Sequence, residues 1–489
     1  MSVEEVYTYG PELALHRVCE EIGLVGVVDR LGAKGGGPDL GRVVEAMAIA
    51  RNCDPSSCLQ LPDWYRRSSL PFFLQMPPGE FTYWVVLRAL DHLQPEHTVP
   101  MQAALYENIR RAYGYECERL DIDITSTYFE GEECVLAEYG HSRDHRPDRP
   151  QVVVAFVVDQ KGVLVTHRVW PGNRSDAKSL KPVDRTLARE FGLDAPRVVD
   201  RGMATRANLD YMDRKKERYL VALRADIKST GLLKEIAAPR GQWTPVGDGE
   251  VAASVVRGRR KYVVAWSPGV AEANRGERMG RVEKAEEELR RLQEAVEKGE
   301  VASRKQRDGK IGHILRRHRA TRYLQVQGHK EGFGFEVERT PLLKEAGEYD
   351  GYTVFVTTEL DLSEKEVVES YRTRDQVEKA IRTLKSVLGL HPMYVRTREH
   401  VIGHIFVCAL AYQLRSILRM KLQRSDTGMS VEEAMGLLER LKAVHIVVRE
   451  GEVVQVHRRL AGLDERTRTL VEVFNMAEGG RLPEVEEGV

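Results

Sequence analysis

No uninterrupted apolar run in the chain approaches the roughly 18–20 residues that a bilayer-spanning helix needs. A helical membrane protein is therefore not expected. The segment from Met1 to Pro11 carries Glu4 and Glu5 and no apolar stretch, so no signal peptide is expected and a cytoplasmic location follows. Cysteine is sparse, with six among 489 residues and no CxxC pair. Cys53 and Cys58 are the one close pair, and no second pair follows to complete a zinc site. Such scatter fits reduced thiols in a reducing compartment. Gly35-Gly36-Gly37-Pro38 breaks the chain, but no Gly-Lys-Ser/Thr follows, which excludes a phosphate-cradling P-loop. There is no internal repeat. There is also no net charge, since 74 Lys and Arg balance 74 Asp and Glu. That removes the simplest electrostatic argument for a nucleic-acid partner.

What is present reads as an ordinary globular chain, 42% hydrophobic and 30% charged, long enough for three or four domains at roughly 100–200 residues each. Charge is segregated rather than absent. The stretch from Glu283 to Glu300 is rich in Glu. The stretch after it carries Arg304, Lys305, Arg307, Lys310, Arg316, Arg317, Arg319 and Arg322 against the single acid Asp308. This basic run has two readings: a footprint for DNA, or a solvated helix partnering the acidic segment.

To about Gly114 the apolar spacing predicts helices, at Leu13 to Val28, Leu40 to Arg51, Phe81 to Leu93 and Met101 to Tyr113. From Glu118 the period changes. Leu120, Ile122 and Ile124 alternate with Asp121, Asp123 and Thr125, a strand with one polar face. Further strands are predicted at Cys134 to Tyr139, Val152 to Val158, Val163 to Trp170, Arg197 to Val199 and Tyr219 to Leu223. One helix, capped by Ser175 or Asp176, is expected to run to about Phe191, and another to about Arg214. The stretch from about Ala225 to Tyr349 interrupts this pattern with short strands and a long charged helix from Arg278 to about Lys298. Gly351 to Thr358 is a strand again. Ser363 with Glu366 forms a capping box. Glu399 to Leu418 is a strongly apolar helix, and Val444 to Val456 is strand-like.

The chemistry concentrates in Tyr371-Arg372-Thr373-Arg374-Asp375-Gln376-Val377-Glu378 and its continuation to Lys385. Placed on one helix, Tyr371, Arg374, Glu378 and Lys385 fall within about 60° of one another, beside an apolar stripe of Val377, Ile381, Leu384 and Leu388. One face then holds a phenol, a guanidinium, a carboxylate and an ammonium. An amphipathic helix with solvated charges is the plainer alternative. Asp123 lies on the polar face of a strand, and Asp200 lies at the carboxyl end of another, where α/β sheets place their sites. An acid leaving a hydrophobic strand needs solvent, a partner or a metal. Three such carboxylates suit hard, oxygen-liking Mg²⁺.

Asp123-Ile124-Thr125, Val199-Asp200-Arg201-Gly202 and the Tyr-x-x-Arg-x-x-x-Glu-x6-Lys segment together resemble the DDE transposases of bacterial insertion sequences, in the branch with the Tyr-Arg-Glu-Lys signature. The spacing is 77 from residue 123 to 200 and 178 from residue 200 to 378, and the longer gap is where that family carries an insertion. The segments from Gly140 to Asp148 and from Pro171 to Asp176, and Gly403-His404, add to the likeness. It spans residues 118 to 415.

The resemblance implies an α/β fold. It would have a ribonuclease H-like catalytic core interrupted by a β-rich insertion domain, with a helical N-terminal domain and a mainly helical C-terminal tail. The expected divisions are a DNA-end-binding region over 1–115, core halves over 116–224 and 351–425, an insertion over 225–350, and a dimerisation region over 426–489. It implies two Mg²⁺ ions, with Mn²⁺ able to substitute, on Asp123, Asp200 and Glu378. Tyr371, Arg374 and Lys385 would contact DNA. Arg143 and Arg146 have two readings, DNA contact or an ion pair with Asp144 or Asp148. Asp121, on the same strand face as Asp123, is the alternative ligand. His141, His145 and His404 are expected to be structural, since a hard-metal site prefers oxygen. The implied partners are double-stranded DNA, both transposon inverted-repeat ends and target DNA, and a second copy of the chain in a homodimeric synaptic complex. A nuclease that cuts without joining and a DNA-binding protein with an inactive site are the rival functions.

Overall fold

A computed structural model describes the chain apart from residues 1, 33–36, 131–133, 141, 224–230, 232–234, 237–242, 330–332, 392, 451–452, 478–481 and 484–489. The chain divides into two compact units, one of Met1–Arg218 with Thr373–Val489 and one of Tyr219–Arg372.

The first unit opens with β1 (Ser2–Thr8), which the apolar spacing does not suggest. Helices α1 (Gly10–Glu21), α2 (Leu24–Leu31), α3 (Leu40–Cys53), α4 (Leu61–Arg67), α5 (Leu70–Phe73), α6 (Tyr83–His92) and α7 (Pro95–Tyr113) follow. The single helix expected from Leu13 to Val28 is two, because Gly23 stands between them at φ 63°, a left-handed conformation that glycine adopts without steric cost. Of the expected break at residues 35–38, Gly35 and Gly36 lie outside the described residues.

Strands β2 (Leu120–Tyr128), β3 (Gln151–Asp159), β4 (Leu164–Pro171) and β5 (Arg197–Val199) line up in the order β4-β3-β2-β5. β2, β3 and β4 pair antiparallel, and β5 runs parallel to β2. β3 is buried along its whole length, as its unbroken Val-rich run requires. The strand expected over Cys134 to Tyr139 is not one. It makes a single bridge, Glu138 to Gln151. The following backbone is committed to a tight crossing, where a Cβ on Gly140 would lie 2.2 Å from the Gly172 carbonyl oxygen. The helix expected to reach Phe191 does so but starts later: a tight turn at Asp176–Lys178 precedes α8 (Leu180–Thr186), which runs directly into a π-helical turn, Leu187–Phe191. Then comes α9 (Arg206–Lys215).

The second unit contains β6 (Tyr219–Leu223), β7 (Thr244–Gly247), β8 (Glu250–Arg257), β9 (Arg260–Trp266), α10 (Pro268–Glu297), α11 (Arg304–Arg317), β10 (Leu324–Gly328), β11 (Phe335–Arg339), α12 (Pro341–Gly347), β12 (Tyr352–Thr357) and α13 (Glu364–Arg372). Five strands run β6-β12-β9-β8-β7. β10 and β11 form a separate hairpin. α10 and α11 share an apolar core built from Val282, Ala285, Leu289, Ile311, Ile314 and Phe335. Ser363 and Glu366 exchange the hydrogen bonds of a capping box ahead of α13.

The chain returns to the first unit through α14 (Asp375–Ser386), α15 (Arg398–Arg424), α16 (Val431–Leu438), the hairpin β13 (Lys442–Glu450) and β14 (Val453–Ala461), and α17 (Glu465–Val473). β13 pairs with β1. α15 is the central helix of this unit, packed against α3, α6 and β4. It is long and apolar enough to cross a membrane, unlike any uninterrupted run in the sequence, but that stretch is wholly buried within the protein. The architecture is mixed α/β.

Candidate active site

The β2–β5 register builds the site. Ile122 is paired in parallel with Val199. The next residues along the two strands are Asp123 and Asp200, so the pairing delivers two carboxylates to one end of adjacent strands. Asp123 still lies within β2. Asp200 follows β5 and begins the turn Asp200-Arg201-Gly202. One Asp200 carboxylate oxygen accepts the Gly202 backbone N–H at 3.1 Å. Gly202 also permits close packing, since a Cβ there would lie 3.0 Å from an Asp176 carboxylate oxygen and 3.3 Å from Asp200 Oδ2.

The third acid comes from α14, which packs against β2 and β3. Val377, Ala380 and Leu384 form its buried stripe. Glu378 is in the first turn, about half exposed, where the helix dipole favours an acid.

Arg374 stands immediately before α14 and gathers the three acids. Its guanidinium lies 2.8 Å from Glu378 Oε1, 3.3 Å from Asp200 Oδ1 and 3.6 Å from Asp123 Oδ1. The side chain is only 10% exposed, so these attractions are weakly screened. Burial pushes the Asp123 carboxyl up to about 6, against the pull of Arg374.

The single helix expected from Tyr371 to Lys385 is broken. α13 ends at Arg372 and α14 starts at Asp375. Between them the Gln376 and Val377 N–H groups bond three residues back, to Thr373 and Arg374. Thr373 is β-branched and Asp375 favours a helix start, so the local preference is to restart there. Tyr371 therefore does not share a helix with Glu378. It ends α13 in the second unit, its ring 5.1 Å from that of Phe355. Glu378 and Lys385 do share α14. The Lys385 ammonium is largely buried and bonds Asp144 Oδ1 at 2.5 Å, and burial lowers its pKa from the usual range.

Arg143 pairs with Asp176, a partner that the sequence does not point to. Arg146 bonds Asp148 at 2.9 Å and lies over the Tyr128 ring at 5.0 Å. Asp121 is fully buried and held by Arg119 at 2.9 Å, and burial pushes its pKa up to about 7. Its bonds run to Arg119, while Arg374 acts on it only through charge. His404 is buried, with Arg51 and Cys408 beside it. His145 sits at φ 56°, and His141 lies outside the described residues. The described cysteines are all free.

Asp176, Asp144 and Arg119 do not stand out in the sequence as site residues, yet all three pair with or pack beside such residues. The available signal is their position inside or beside the Gly140–Asp148, Pro171–Asp176 and Asp121–Asp123 segments.

Among the described residues no three His, Cys, Asp or Glu side chains come close enough to share a metal ion. Here the acids share a guanidinium instead. The donors are all carboxylate oxygens around a positive charge, a set whose chemistry fits a hard divalent cation.

Solved transposase structures are distantly similar. A piggyBac transposase synaptic complex with hairpin DNA is 11% identical, with a TM-score of 0.37, and the alignment covers 88% of this chain and 80% of that one. A Mos1 transposase paired-end complex with left transposon end is 13% identical, with a TM-score of 0.16, over 38% of this chain and 60% of that one. A Mos1 mariner paired-end complex with Mn is 12% identical, with a TM-score of 0.15 and the same coverage. At such scores these likenesses add nothing to the reading of the site. No curated protein matches the chain. The family model described as Transposase DDE domain matches residues 118–414, which include Asp123, Asp200, Arg374, Glu378 and Lys385. With more than half of its length matched, the chain belongs to the Transposase DDE domain family.

Proposed function

We propose that the protein cuts DNA at the ends of a mobile element and joins the freed 3′-hydroxyls to target DNA. Asp123, Asp200 and Glu378 would hold two Mg²⁺ ions, with Mn²⁺ able to substitute. The observation that carries this reading is the convergence of three carboxylates, from β2, the end of β5 and α14, on one cation. Mutual repulsion makes such a cluster unfavourable without positive charge. The antiparallel β2-β3-β4 with parallel β5, followed by a helix-borne glutamate, supports a ribonuclease H-like core, and the Tyr-Arg-Glu-Lys branch is proposed on the identities of Tyr371, Arg374, Glu378 and Lys385.

The chemistry that the divalent cations supply is neutralisation of the charge that builds on the attacking and leaving oxygens of the phosphodiester. The protein groups prepare that environment. The Gly202 N–H fixes one Asp200 oxygen and leaves the other towards Arg374. Arg374, whose fork-shaped guanidinium suits a phosphate, would be the cation of this site that meets the DNA backbone. Lys385, braced by Asp144, and Tyr371 are further DNA contacts in this reading. Arg143 and Arg146 share their charge between an acid partner and DNA.

In the same reading residues 1–115 bind the element's ends, 116–224 and 351–425 form the core, 225–350 are the insertion, and 426–489 support a homodimer that holds two ends together.

The test incubates purified protein with labelled DNA carrying the ends that flank its gene, in Mg²⁺, Mn²⁺ or EDTA. Asp123→Ala, Asp200→Ala and Glu378→Ala are expected to lose metal-dependent cleavage and joining at least 1,000-fold, on the order of what removing a transition-state charge partner costs. Cleavage without joining would assign a nuclease. Tight binding of the ends with no cleavage in either metal would overturn the catalytic reading.

A further inference from the structure

The basic run of the second unit takes no part in the site above. Its residues from Arg304 to Arg317 form α11, whose apolar positions Ile311 and Ile314 are buried against α10. Arg307 also turns inward and bonds the Phe333 and Gly334 carbonyls. On the outward face, Lys305, Gly309, Gly312 and Arg316 fall within about 60° of one another. Lys305 and Arg316 are about 16 Å apart along the axis. Lys310 lines the other flank, and Arg319 and Arg322 continue the positive surface beyond the helix. All five cations are exposed.

The acidic helix alongside does not neutralise this face. Glu286 pairs with Arg339, Glu287 with Arg291, and Glu288 with Arg317 and His318. Lys305, Lys310, Arg316, Arg319 and Arg322 make no ion pair among the described residues. Pairing with the acidic neighbour accounts for Arg317 and for none of these five cations.

The two glycines are a separate observation. Glycine inside a helix is destabilising relative to alanine, and internal packing does not require it here. A Cβ on Gly309 would meet nothing within 4 Å. A Cβ on Gly312 would meet only the guanidinium end of Arg316, at 3.4–3.8 Å. Both lie between cations, where the small side chains let a neighbouring molecule approach the helix closely. A polyanion with charges spaced along a rod matches a smooth strip with a cation near each end and Lys310 along one flank.

We infer that the outward face of α11 docks the phosphate backbone of duplex DNA, an interaction separate from the carboxylate site. This rests on the reading of the protein as one that handles DNA. The test measures binding of the full-length protein to a 30-base-pair duplex of arbitrary sequence, by fluorescence anisotropy across a salt series. The variants are a quadruple Lys305→Ala, Lys310→Ala, Arg316→Ala, Arg319→Ala protein and a double Gly309→Gln, Gly312→Gln protein. The quadruple variant is expected to bind at least tenfold more weakly at 0.1 M salt. Its log–log salt slope should fall by about two to four, near 0.9 for each phosphate that is no longer neutralised. The glycine variant is expected to bind at least fivefold more weakly while its melting temperature holds or rises, a combination that a structural role for the glycines would not produce. Wild-type affinity and slope in the quadruple variant would overturn the docking face and leave the DNA-handling reading standing. A loss confined to single-stranded RNA would overturn it too and assign the face to RNA. Failure of the wild-type protein to bind any duplex would sink the broader reading and this inference with it.

Discussion

Arg374 has the most consequential side chain in the carboxylate site, because three acids depend on it for neutralisation. Removing it leaves Asp123, Asp200 and Glu378 facing one another. The metal-free Arg374→Gln protein is expected to be less stable by about 1–3 kcal/mol, below the range for fully buried pairs because Glu378 is half exposed. Mg²⁺ should then raise its melting temperature more than that of the wild type, since a ligand of the folded state alone stabilises that state. Thermal melts in EDTA and in Mg²⁺ measure both effects. An unchanged melt with no added response to Mg²⁺ would refute this account. The acids themselves were legible in the sequence: Asp123 from strand alternation, Asp200 from its place after a short apolar strand, Glu378 from helical spacing. The gathering role of Arg374 was not. Spacing could put it on the same side as Glu378, but only the register of β2 against β5 shows that two more acids lie within its reach.

The elements hold the site through a few close approaches. α15 crosses α6 where Gly403 meets Leu90, and a Cβ on Gly403 would sit 2.7 Å from the Leu90 carbonyl oxygen and 2.9 Å from its Cα. Backbone cannot yield as a side-chain tip can. Gly403→Ala is therefore expected to destabilise the protein by about 1–3 kcal/mol through overpacking, against the gain in helix propensity that alanine would otherwise bring. Urea denaturation followed by circular dichroism checks the sign, and a stabilised variant would show that the crossing is looser than these distances imply. Strands β2, β3, β4, β5 and β6 and the helices α3 and α15 were legible because their periodicity is strong. The break before α14 was not, since the face containing Tyr371, Arg374 and Glu378 looks continuous on a uniform helix. β1 was missed for a different reason. It is stabilised by pairing with β13, more than 430 residues away in the chain, and strand pairing leaves little mark on a short segment's own pattern.

Within the first unit, burial sets how the whole fold responds to acid. His167 and His404 are each pushed down to about 3, chiefly by burial, with Arg168 and Arg51 adding to the shift. Both stay neutral in the folded protein over a range where the unfolded chain takes up protons. The stability they contribute is present above about pH 6.5 and is lost as pH falls towards 3, at about 1.4 kcal/mol per pH unit for each histidine. Comparing the pH dependence of unfolding for the wild type and His404→Gln should show a shallower loss in the variant, by about one histidine's share. Identical slopes would mean that His404 is protonated in the folded state. By itself the sequence determined the order of the strongly periodic elements, the family likeness and the identities of three candidate acids, because these rest on local periodicity and residue type. Only the tertiary structure decided that Asp123 and Asp200 are neighbours across a parallel strand pair, that Arg374 is aimed at them, that Lys385 is braced by Asp144, and that Lys305, Lys310 and Arg316 of α11 are exposed without an ion pair among the described residues. Those outcomes depend on interactions between residues far apart in the chain, which strand register and helix packing create and which no local pattern records.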